Sequence, residues 1–76
     1  MSITVAKQAL ASAVRCDDDH LHVALTDGRE VSVPLAWFPR LRSATPGQRS
    51  VYRLLGRGAG IHWPELDEDI SVQALL

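Results

Sequence analysis

The dipeptide Asp27-Gly28, set between two alternating segments, constrains this chain more than any other feature. Residues 20–26 (HLHVALT) place Leu21, Val23 and Leu25 on one side and His20, His22, Ala24 and Thr26 on the other. Residues 29–35 (REVSVPL) alternate again, with Val31, Val33 and Leu35 together. Successive side chains of a strand point to opposite faces, so period-two alternation marks a half-buried strand. Asp-Gly between two such runs predicts a hairpin. A two-residue type I′ turn, which needs positive φ at both central residues, is the expected connection. Pro34 has no N–H to give a ladder, so the second strand should end there or lie at an edge.

The segments around the hairpin add further elements. Residues 11–16 (ASAVRC) are apolar-rich and run into the polar turn Asp17-Asp18-Asp19. Pro39 suits a first helical position. Thr45-Pro46-Gly47-Gln48 has the form of a helix start, with Thr as N-cap, Pro at N1 and Gln at N3 completing a capping box. Beyond it, Val51, Leu54 and Leu55 fit helical spacing, whereas Val51-Tyr52 favour a strand. The expectation is a short helix to Ser50 followed by a strand, because Val and Tyr prefer strands. Glycines 56, 58 and 60 lack both the Lys-Ser/Thr of a P-loop and the GxGxxG fingerprint, so they predict a tight turn of unusual φ. Ile61-His62-Trp63 should pair back across them, Pro64 should end that strand, and Ser71 should cap a last turn over residues 72–76. Together these signals predict one α+β domain over residues 1–76. It holds a small antiparallel sheet, made of the hairpin and C-terminal strands, with one or two short helices.

Size and charge narrow the function. A chain of 76 residues buries only about 60% of its unfolded surface, so it has little stability to spare. A homodimer interface or a bound partner would supply more. The single cysteine, Cys16, excludes an intramolecular disulfide. Residues 9–13 (ALASA) imitate a signal cleavage site, but cutting there would remove a strand candidate, so the segment belongs to the folded chain. No apolar run is long enough to span a bilayer, and the cytoplasm is the expected location. Net charge is −1 and unevenly spread. Residues 38–57 carry Arg40, Arg42, Arg49, Arg53 and Arg57 and no acid, whereas residues 58–76 carry Glu65, Asp67, Glu68 and Asp69 and no Lys or Arg.

Catalytic and cofactor readings find little support. His62 beside Trp63 would need a nucleophile or acid at hand, and Ser43, Ser50 and Ser71 have no activating context. His62 is expected to be a hydrogen-bonded structural histidine and Trp63 a core residue. His20 and His22 share a strand face without a third ligand, so solvated histidines are expected rather than a metal site. The tail acids lack the glycine and spacing of a calcium loop. Cys16 is expected to be a buried or half-buried thiol, because Asp17 to Asp19 oppose any help from Arg15. No cofactor motif is present. The arginines could track phosphates, but with four carboxylates nearby in sequence, ion pairs inside or between chains are the preferred reading.

The DGR and VPL steps of the hairpin, TPGQR, and above all residues 60–76 (GIHWPELDEDISVQALL) resemble the small bacterial family grouped as domain of unknown function 2442. The family pattern falls on Gly60, His62, Trp63, Leu66, Asp67, Asp69, Ser71, Val72, Leu75 and Leu76, and the similarity covers residues 11–76. The resemblance implies a compact α+β fold. It also implies an antitoxin-side role, since members often look like partners of small toxin-like proteins. Some carry an added helix-turn-helix, which this sequence does not show, so direct promoter binding is not expected.

The resulting expectation is a non-enzymatic module that binds and neutralises or regulates a partner protein. Its contact residues would be Glu65, Asp67, Glu68 and Asp69, with Asp17, Asp18 and Asp19. Trp63, His62, Gly60 and Leu66 would hold the segment rigid. Asp67 and Asp69 are expected to bind backbone N–H groups in the turn, with Leu66 and Ile70 anchoring it to the core and Glu65 and Glu68 facing out. One alternative is an acidic inhibitor that mimics nucleic acid, such as a phage-encoded anti-CRISPR protein facing a nucleic-acid-binding complex. Another is a DNA- or RNA-binding regulator that uses the arginine segment.

Overall fold

The hairpin forms where the alternation places it. In the computed structural model, which describes residues 9–76, β2 (His20–Leu25) and β3 (Glu30–Pro34) pair antiparallel. Leu21 stands opposite Val33 and Val23 opposite Val31. The turn differs from the expected one. Gly28 N–H donates to the Leu25 carbonyl (3.1 Å) and Leu25 N–H to the Arg29 carbonyl (2.8 Å), so Thr26, Asp27 and Gly28 form a three-residue loop. Only Gly28 takes positive φ, 95°, which is a type I turn followed by a left-handed glycine, not type I′. The Asp27 carboxylate accounts for the difference. Its Oδ1 accepts from Arg29 N–H at 3.0 Å and its Oδ2 from Arg29 Nε at 2.7 Å, an Asx arrangement that keeps Asp27 out of the left-handed region.

The first sheet is completed by β1 (Ala11–Cys16), which pairs with β2 to give the order β1-β2-β3 with a bulge between Ala11 and Ala13. The chain then crosses through a 3₁₀ turn (Leu35–Trp37) and two short helices, α1 (Pro39–Arg42) and α2 (Pro46–Ser50). The predicted capping box is present: Thr45 Oγ1 accepts from Gln48 N–H at 3.1 Å, and Gln48 Oε1 from Thr45 N–H at 3.0 Å.

A second sheet follows, in the order β4 (Arg53–Leu55), β5 (Gly60–Trp63) and β6 (Glu68–Ser71), so the strands divide into two three-stranded antiparallel sheets. The last strand is not apparent in the sequence, because Glu and Asp are poor strand formers. Pairing of Ile70 opposite Ile61, with both side chains buried, overrides that preference. Ser71 precedes a 3₁₀ turn (Val72–Leu75), although its hydroxyl caps no N–H there.

The two sheets share one core. Leu21, Val23, Leu25 and Val33 come from the first sheet and Ile61, Trp63 and Ile70 from the second, with Leu35, Leu41, Val72 and Leu75 closing the gaps. Three contacts pin the sheets together. Val14 N–H donates to the Tyr52 hydroxyl (3.1 Å), and the Trp63 indole N–H donates to the Arg49 carbonyl (3.0 Å), a bond that ties the second sheet to α2, which itself packs on β1. The third is the glycine turn, where Gly56, Arg57 and Gly58 all have positive φ. A Cβ on Gly58 would lie 2.2 Å from the Ala11 carbonyl oxygen, so the turn rests directly on the bulged end of β1. No helix among the described residues is long and apolar enough to cross a membrane.

Candidate functional site

The acidic tail is presented by the β5–β6 hairpin. Trp63, at the end of β5, is fully buried, and the following loop turns on the Leu66 N–H bond to the Trp63 carbonyl (3.2 Å). Leu66 packs part-buried against the core and Ile70 is buried, so both anchor the segment. Glu65, Asp67 and Asp69 are exposed, and Glu68 is half-buried.

The sequence suggested that the two aspartates bind backbone N–H groups, but among the described residues their carboxylates take none. Asp67 contributes its backbone: its φ is 50°, and its carbonyl accepts from Arg40 Nη1 at 2.5 Å. Asp69 instead takes the His62 imidazole, with Nδ1 donating to Oδ1 at 2.5 Å. Register explains that contact. Val72 N–H donates to the Ala59 carbonyl (2.9 Å), and bonded pairs alternate along an antiparallel ladder. Ile61/Ile70 and Trp63/Glu68 are therefore bonded, and His62/Asp69 is the unbonded pair, whose side chains stand closer.

The expected pairing of arginines with these carboxylates does not occur among the described residues. The cause is local. A helix as short as α1 leaves its carbonyls unsatisfied, and Arg49 fills that need. Its Nε donates to the Leu41 carbonyl and its Nη2 to that of Arg42, both at 2.8 Å. Arg49 and Arg40 thus act as backbone clamps. The tail keeps its negative charge.

Asp17, Asp18 and Asp19 form a different kind of site. Asp17 Oδ1 accepts from the Asp19 and His20 N–H groups (2.8 and 2.7 Å), while its Oδ2 accepts from His22 Nε2 (2.7 Å). The other nitrogen of His22 lies 2.6 Å from Ser32 Oγ, so this histidine is held on both sides and not solvated as expected. The His22 hydrogen bond, then the two backbone bonds, hold the Asp17 carboxyl well below the usual carboxylate range. A depressed folded pKa contributes stability above the unfolded value, about 3.9, that is lost as pH falls through the folded value. Melting temperature should therefore drop below about pH 4, and Asp17→Asn should remove that part of the drop. In a melting series from neutral to strongly acid pH, the gap between the two proteins should close at the acid end. A gap independent of pH would show that Asp17 contributes no such linkage.

Asp18 and Asp19 stay exposed. Cys16 is half-buried, and burial pushes its thiol pKa up; the positive charge of Arg49 opposes this, and Asp17 adds to it. That is the reverse of what a nucleophilic thiolate needs. Among the described residues no three His, Cys, Asp or Glu side chains converge as a metal set.

No curated protein matches the sequence. The crystal structure of a protein of unknown function from Rhodospirillum rubrum ATCC 11170 is similar, with a TM-score of 0.78 and 30% sequence identity over 91% of this chain and 86% of that one. The family described as "Protein of unknown function (DUF2442)" matches residues 11–76, from the first strand of one sheet to the last turn after the other, and the chain belongs to that family.

Proposed function

We propose that this chain is a non-enzymatic interaction module that binds a partner protein through the acidic β5–β6 hairpin and thereby neutralises or regulates it. The supporting observation is the uncompensated charge of that hairpin: Glu65, Asp67 and Asp69 are exposed, and no arginine among the described residues pairs with the four tail carboxylates. Charge left open on a rigid hairpin favours a basic partner surface, where complementarity mainly raises association rate and selectivity. A toxin-like partner is the candidate that the family resemblance suggests. Chemistry is less favoured, because no hydroxyl or thiol among the described residues hydrogen-bonds to His62, whose one partner is Asp69. Asp17 is tied to His22 and its own turn, while Asp18 and Asp19 stay exposed as further candidate contacts.

The test is charge reversal. With the partner captured from source cells, Glu65→Lys combined with Glu68→Lys should slow association about tenfold or more at low ionic strength. The effect should shrink as salt is raised, because exposed charges are screened. An unchanged association rate, with the fold intact by circular dichroism, would remove the reading.

A further inference from the structure

The same ladder that brings His62 to Asp69 fixes which way the backbone of β6 faces. Glu68 and Ile70 spend their N–H and carbonyl groups on β5, so those of Asp69 and Ser71 point away from it. Both residues are exposed, and no backbone group among the described residues pairs with them from the outer side. Unpaired groups along a strand edge form a template for another strand.

The other three edges differ in what they offer. On β1 the outward Val14 N–H is taken by Tyr52. The edge strand β3 also turns out the groups of Glu30 and Ser32, but it ends in Pro34, which has no N–H to offer, and carries one carboxylate, Glu30, rather than a run of them. The three-residue β4, whose bonds to β5 fall on Arg53 and Leu55, turns out only the groups of Leu54. The edge of β6 is the one that combines two successive outward residues with a run of carboxylates.

Charge selects the occupant. A second copy of this chain pairing along β6 would bring both sets of Glu65, Asp67, Glu68 and Asp69 to one seam, with no Lys or Arg in residues 58–76 to answer them. Like charges across a strand pair are destabilising. A basic strand meets no such penalty.

The outer face of the second sheet adds side-chain detail. Cross-strand register sets two rows on it, Arg53–His62–Asp69 and Leu55–Gly60–Ser71. Gly60 has no side chain, so the second row holds a shallow depression between Leu55, which is 45% exposed, and Ser71. An antiparallel strand would place one residue beside Asp69 and, two residues earlier, another beside Ser71. The first position suits a base. The second suits a large side chain that reaches across Ser71 into the depression.

We propose that the outer edge of β6 receives an extended basic segment of a partner protein as an added antiparallel strand, reading apolar-apolar-basic-basic opposite Ser71, Ile70, Asp69 and Glu68. This rests on the acidic interaction surface proposed above and states how that surface is used.

A labelled synthetic peptide, Thr-Tyr-Val-Lys-Lys-Thr, followed by fluorescence anisotropy at low salt, is a direct probe. In the proposed register its tyrosine and first lysine donate their N–H groups to β6, whereas its valine and second lysine turn theirs outward. Methylating either inward nitrogen should weaken binding about tenfold or more, and methylating the valine nitrogen should change it little. On the protein side, Ser71→Pro removes only the outward N–H. Ser71 has φ −80° and ψ 127°, within reach of proline, and its N–H makes no bond to β5. This variant should keep its melting transition and lose peptide binding to the same extent, while Ser71→Ala should bind normally. Methylation effects that ignore position, a Ser71→Pro protein that binds as well as the parent, or no binding at millimolar peptide would each overturn strand addition. Binding that responds to charge reversal at Glu65 and Glu68 but not to methylation would leave the acidic surface standing without the added strand. A peptide-bound state of two protein copies in sedimentation would point to self-pairing and overturn it as well.

Discussion

Gly58→Ala is expected to destabilise the protein by about 4 kcal/mol or more, an exceptional loss for one methyl group. Two costs combine. The φ of 103° is strained for any L-residue, by about 1–2 kcal/mol on the usual left-handed penalty. The larger cost is steric, because the new Cβ would fall 2.2 Å from the Ala11 oxygen and 2.9 Å from the Ala11 nitrogen. These are backbone atoms of a paired strand, so no rotamer change relieves the clash, and β1 would have to leave the turn. Total stability for 76 residues at about 0.05–0.15 kcal/mol each is roughly 4–11 kcal/mol, so the variant should be largely unfolded or close to it. Gly28→Ala separates the two costs. Its φ of 95° is similar, yet nothing lies within 4 Å of the position a Cβ would take. Urea unfolding should therefore show a modest loss for Gly28→Ala and a much larger one for Gly58→Ala. Equal losses would mean that the close approach to Ala11 contributes nothing.

Trp63→Ala is expected to cost about 3–5 kcal/mol, again most of what a chain of this size has. Trp63 is the largest fully buried side chain and lies in the middle of the shared core. Its indole N–H is also the donor for the Arg49 carbonyl, just where α2 hands over to β4. Trp63→Phe keeps most of the apolar volume and removes that donor, so its loss should be smaller, about 1–3 kcal/mol. Circular dichroism is the proper readout, because the other tryptophan, Trp37, is 62% exposed and reports on solvent in either state. A Trp63→Phe protein as unstable as Trp63→Ala would assign the whole effect to the indole N–H. A Trp63→Ala protein that melts like the parent would contradict the packing account altogether.

Local chemistry was the readable part of this sequence. Alternation at 20–26 and 29–35, the Thr45-Gln48 capping box, and the stops at Pro34 and Pro64 each depend on residues within a few positions of one another. They therefore appear in the chain as written. What stayed hidden needed partners far away. The strand β6 exists because Ile70 can be buried opposite Ile61, which its own Glu-Asp composition gives no hint of. The backbone roles of Arg49 and Arg40 were hidden for the same reason, since the carbonyls that they clamp become available only once α1 and the Asp67 turn have formed. Even the Asp27-Gly28 turn was decided by a side chain, the Asp27 carboxylate holding Arg29, more than by the dipeptide itself. At the candidate site the acidic run was plain to see. The outward backbone of Asp69 and Ser71 was not, because ladder phase belongs to the pair of strands.

The division into two meanders keeps every strand pairing local in the chain. Each sheet joins strands only to their neighbours in the chain, so every ladder closes a short loop and loses little chain entropy in doing so. Distance in the chain is spanned instead at the junction, where Ala11 meets Gly58 and Val14 meets Tyr52. Each sheet has one apolar face that must be buried against another element, and here that element is the other sheet. The junction is thus the point at which two local structures become one cooperative unit, and the smallest residue in the chain is the one that lets it close.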